Sequence, residues 1–71
     1  MKTEILNTRN PKAHAQNIQR MLTELIEHVR DDANLVDEPK AQALFETTAE
    51  VLIGLRTAHE HYATGEEKAM R

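Results

Sequence analysis

The stretch AQALFETTAEVLIGLRTAHEHY, residues 41–62, repeats a three-four spacing through Ala41, Leu44, Thr48, Val51, Leu55, Ala58 and Tyr62, with one threonine among apolar side chains. Because an α-helix turns once in 3.6 residues, this spacing predicts a helix with a single apolar stripe. Working outward toward the N terminus, Ala15, Ile18, Leu22, Leu25 and Val29 keep the same spacing and predict a second helix. Two striped helices joined by a short polar segment predict an all-α fold, an antiparallel helical hairpin.

Local signals set the expected boundaries within a single domain of residues 1–71. Asn10 suits a helix N-cap and Pro11 the first turn, where a missing N–H is harmless, so helix one is expected over 11–30 after a polar arm of residues 1–9. The run Asp31-Asp32-Ala33-Asn34 predicts its end, since Asp and Asn compete for their own backbone and acids sit badly at the negative end of a helix. A connection over 31–37 follows, with Leu35 and Val36 covering the end of the core. Asp37-Glu38-Pro39 offers a capping acid and a first-turn proline, predicting helix two over 38–64. Gly65 suits the left-handed stop, and 65–71 are expected to fray. Gly54 lies inside helix two, where it costs about 1 kcal/mol relative to alanine.

The width of the stripes implies a partner. Met21 and Ile26 flank the first stripe, Phe45 and Leu52 the second, and each arc comes to about 140°, more than one neighbouring helix covers. The expected remedy is a homodimer forming a four-helix bundle, with Ile18, Met21, Leu22, Leu25, Ile26, Phe45, Thr48, Val51, Leu52 and Leu55 as its core and dimer interface. Folding about 31–37 predicts rungs of Val29 on Leu44, Leu25 on Thr48, Leu22 on Val51, Ile18 on Leu55 and Ala15 on Ala58. Thr48 fits such a core if its hydroxyl bonds back to the Leu44 carbonyl.

Composition narrows the function classes. A chain of 71 residues without cysteine has neither disulfides nor thiolate metal sites, and so small a core ordinarily needs a staple or a partner. Twelve acids against nine bases, net charge −3, give no basic nucleic-acid footprint. The longest run of large apolar residues, Val51-Leu52-Ile53, is far too short to span a bilayer, and nothing near Met1 resembles a secretory core, so a cytoplasmic location without membrane contact is expected.

Four histidines invite a test for chemistry. The expected register sets His14 opposite His59 at the open end of the hairpin, where a dimer would supply further imidazoles for a divalent metal. Structural packing at the bundle end is the simpler account, because the Glu-x-x-His pairs of metal-binding bundles are missing. His28, four residues after Glu24 near the end of helix one, suits a favourable charge at the negative helix terminus. The chain has no serine nucleophile and no glycine-rich phosphate loop, and the basic residues Arg20 and Arg56 are offset by Glu24 and Glu60 one turn on. Ile53 falls outside the apolar arc among Glu46, Glu50 and Glu60, a possible anchor for a further protein partner.

The resulting expectation is a non-catalytic interaction or regulatory protein, acting through a homodimeric bundle on another protein and requiring no cofactor. The alternative is a bundle binding a metal or small ligand through His14 and His59, and a weaker one is a binder of structured RNA.

Overall fold

The computed structural model describes residues 7–65 as two packed helices, α1 over Pro11–Leu35 and α2 over Pro39–Thr64. The expected arm 1–9 falls largely, and the expected tail past Gly65 wholly, outside the described residues. At the start of α1 the Asn10 side chain accepts a hydrogen bond of 3.0 Å from the Lys12 backbone N–H, and Pro11 occupies the first turn. These satisfy or remove donors that a helix start otherwise leaves without partners.

Helix α1 runs past the expected stop at Arg30 and reaches Leu35, which shortens the connection from 31–37 to 36–38. The acids do not break it. An Asp or Asn inside a helix costs only about 0.7 kcal/mol at most relative to alanine. In return Ala33 extends the packed face formed by Leu22, Ile26 and Val29, and the His28 ring lies 3.2 Å from the Asp32 carboxylate one turn on. Proline sets the real boundary. Pro39 holds the preceding Glu38 extended (φ −81, ψ 121), and Val36 is extended as well (φ −97, ψ 148).

The second start also differs from expectation in its chemistry. Glu38, not Asp37, is the cap residue of α2 and makes no side-chain cap bond. The junction is closed by Gln42 instead. Its backbone N–H donates to the Glu38 carbonyl at 3.0 Å, and its side chain donates to the Val36 carbonyl at 2.8 Å. At the far end Gly65 adopts φ 79, a conformation that strains residues bearing a Cβ, and its N–H reaches the His61 and Tyr62 carbonyls.

The helices meet along Ala15, Ile26 and Val29 of α1 and Ala49 of α2, with Ile26 only 1% exposed. Small residues at the crossing let the backbones approach. This contact departs from the expected rungs. Leu44, Val51 and Leu55, placed opposite Val29, Leu22 and Ile18, are 60%, 58% and 47% exposed, and Ile18 itself is exposed. Arg56 of α2 donates to Thr23 of α1, Nη1 to Oγ1 at 3.3 Å, its long side chain reaching along the groove between the helices. Along the axis the expected register is kept, since Ala15 and Ala58, like His14 and His59, line one hollow at the open end. The departure is a rotation: a stripe wider than one neighbour has its centre between two partners, and α1 takes only one half.

Candidate partner-binding face

The half of the arc that α1 leaves open forms one face of the hairpin. Turning about 100° per residue from the buried Ile26, Ile18, Leu25 and Met21 fall on one flank of α1. From the buried Ala49, Thr48, Leu55, Leu44, Tyr62 and Val51 fall on the corresponding flank of α2. Because the helices are antiparallel, the two flanks point the same way. Ile18, Leu44, Val51, Leu55 and Tyr62 are exposed there, while Met21, Leu22, Leu25 and Leu52 are half-buried along the groove between the helices. Thr48, inside this face, donates its hydroxyl to the Leu44 carbonyl at 2.8 Å, so its polar atom is satisfied within its own helix.

The opposite face is polar. Gln19, Thr23, Glu27 and Arg30 of α1 lie beside Glu46, Glu50 and Thr57 of α2, around a hollow of about 390 Å³ lined by Arg30, Ala33, Asn34, Phe45, Glu46, Ala49 and Glu50. Ile53 stands one turn after Ala49 on the side toward α1 and is half-buried. Its expected isolation on an outward acidic face does not hold. Phe45, expected beside Leu52 on the stripe's flank, contributes to the helix contact and to this polar-side hollow.

At the open end of the hairpin the apolar face dips into a hollow of about 540 Å³ lined by Arg9, Pro11, His14, Ala15, Ile18, Ala58, His59 and Tyr62. The structure therefore brings His14 and His59 to one cavity. Each ring is held by its backbone: His14 Nε2 lies 2.7 Å from the Thr8 carbonyl, and His59 Nδ1 lies 2.8 Å from the Leu55 carbonyl. A carbonyl only accepts, so these nitrogens donate, and in the uncharged tautomer that does so the acceptors are His14 Nδ1 and His59 Nε2. Such orientation suits a ligand to a metal. Among the described residues, however, no group of three or more His, Asp or Glu lies close enough to hold a metal ion.

Two basic side chains, Arg20 and Arg56, are engaged within the fold. Arg20 bonds Asn17 and lies 3.6 Å from the Glu24 carboxylate, and the half-buried Arg56 reaches Thr23 rather than standing on an outward face. Sequence reasoning left Arg9, Leu44 and Tyr62 out of its interface set, although Leu44 and Tyr62 stood in the stripe itself. Among the described residues no helix is long and apolar enough to cross a membrane. No family model, no curated protein and no solved structure matches the chain.

Proposed function

We propose that the chain is a non-catalytic interaction protein that pairs through its apolar face into a homodimeric four-helix bundle and presents its polar faces to another protein in a regulatory or adaptor role. The observation that carries this reading is the uncovered apolar face on a molecule only 11 Å in its thinnest Cα dimension, a single layer of helix. Among the described residues nothing lies over that face. The total exposed area is 5556 Å² for 8.1 kDa, whereas a compact monomer of that mass exposes roughly 4,500 Å².

Equilibrium sedimentation of the untagged chain tests the reading. A species of twice the chain mass at micromolar concentration supports it, and a folded monomer at that concentration defeats it.

The two imidazoles in one cavity favour a second reading, a bundle that binds a metal or small ligand through His14 and His59. Completing a metal site there requires donors from another copy, so this reading itself depends on assembly. Binding of structured RNA has less support, since Arg20 and Arg56 are committed to contacts within the hairpin.

A further inference from the structure

The geometry points to a particular occupant of the open-end hollow, and the inference rests on the dimer reading above. Two identical layers stacked face to face about a two-fold axis have two arrangements. With the axis along the helices, like ends meet. With the axis across them, the open end of each copy lies over the connection end of the other. We infer the second arrangement, in which Leu44 of each copy seats in the hollow formed by Ala15, Ile18, Ala58 and Tyr62 of the other.

Three observations converge on it. The first is shape: the apolar face is indented at the open end, whereas at the connection end Leu44 projects from the same face and is mostly exposed. A projection at one end and a hollow at the other match only when the copies are reversed. The second is spacing. Reversal stacks α2 antiparallel on its own copy, and a helix packing against itself in this way needs contact residues placed symmetrically about a midpoint. Leu44 precedes Val51 by the same seven residues by which Tyr62 follows Leu55. Leu44 therefore meets Tyr62 in the register that brings Val51 to Leu55, and both pairs recur by symmetry.

The third observation is charge. The half of the hairpin nearer the connection, residues 23–52, carries eight acids against two bases. The described residues of the other half hold four bases, Arg9, Lys12, Arg20 and Arg56, against one acid, Glu60, with Arg20 paired to Glu24 across the dividing line. Residues 1–6 and 66–71 add three acids and three bases and leave this polarity unchanged. Joining like ends would crowd cations on cations and acids on acids. Reversal sets Arg9, on the rim of the hollow, toward the acidic connection end, and attraction of this kind selects orientation more than it adds affinity.

Single cysteines test the arrangement cleanly, because the native chain has none. Leu44→Cys and Tyr62→Cys chains, made separately, are mixed and oxidised. A second mixture pairs Ile18→Cys with Leu55→Cys, positions that approach each other between copies only when like ends meet. All four sites are on the surface, and circular dichroism verifies that each variant keeps the helices. The expected result is a mixed disulfide dimer from the first pair and little from the second, since disulfides require Cα atoms within about 7 Å. Product from the second pair, or from neither while the chains still sediment as dimers, overturns the reversed arrangement and leaves the dimer standing. Monomers in sedimentation overturn the dimer reading beneath it.

Discussion

Arg56 and Thr23 tie the two helices together across the hairpin, the guanidinium donating to a hydroxyl that itself donates to the Gln19 carbonyl at 3.1 Å. The Thr23 oxygen thus accepts from one helix and donates to the other, and it marks the register in which α1 and α2 lock. An arginine reaching over from α2 replaces the solvent pairing with Glu60 suggested by one-turn spacing.

The first prediction concerns this link. Thr23→Val removes the hydroxyl while keeping the shape, and the loss should be about 1 kcal/mol, the usual net worth of one part-exposed hydrogen bond. In a double-mutant cycle with Arg56→Ala, urea titration should return a coupling of at least about 0.5 kcal/mol. Strict additivity would mean that the contact does not hold the register.

A second prediction separates the two halves of the apolar arc. Ile26, shut between the helices, should cost about 2–5 kcal/mol when truncated to alanine, enough to unfold so small a domain at any concentration. Leu55→Glu, on the open face, should act through assembly. Its melting temperature should no longer rise with protein concentration, whereas that of the parent does. If the parent's melting temperature is itself independent of concentration, the open face contributes nothing to assembly.

This contrast also shows how far the sequence could be read. The period of the apolar residues was enough for two helices folded back on each other, because 3.6-residue spacing has no other regular explanation. The division of a wide arc between two neighbours was not legible. Val51 and Ala49 lie two residues apart, and hydrophobicity alone favours Val51 for the inner contact, yet it is the small Ala49 that goes inside, where a close crossing needs little bulk. The end of α1 was misread for a related reason: the propensities of Asp31, Asp32 and Asn34 are weak beside the covalent restriction at Pro39. Of the candidate site, the meeting of His14 and His59 at the open end was legible from the antiparallel topology. Arg9 was not, since its place in the hollow depends on how the chain enters α1.

The two glycines should respond in opposite directions. A Cβ built at Gly54 meets nothing within 4 Å, so Gly54→Ala should stabilise by about 1 kcal/mol through helix propensity. At Gly65 the nearest atom to such a Cβ is Lys12 Nζ at 3.6 Å, an ordinary contact, so the cost there is backbone strain alone. Gly65→Ala should therefore destabilise by about 1 kcal/mol, the penalty of a left-handed conformation. Thermal melts of both variants check the pair, and destabilisation by Gly54→Ala would reveal a partner pressed against that side of α2.

Zinc supplies the last test. With two oriented imidazoles but no third donor beside them among the described residues, the parent should keep its melting temperature in micromolar zinc and in chelator alike. A His14→Gln, His59→Gln double variant should behave the same way. Were the pair a ligand set completed by another copy, zinc at a hundredfold excess over Kd would stabilise the parent alone, by about 2.7 kcal/mol.

Pro39 has one more effect, on how copies of this chain can exchange parts. Small hairpins with short connections are prone to domain swapping, in which the turn straightens, both helices fuse into one rod, and each rod pairs with the helices of its neighbour. Here a straight rod is costly. Continuing α1 through Val36–Glu38 into α2 would drive the Pro39 ring against the Leu35 carbonyl and leave that carbonyl without its donor, a cost of about 3 kcal/mol or more. The covalent chain thus favours the bend between the helices, and any exchange of helices between copies has either to meet that cost or to keep residues 36–38 extended.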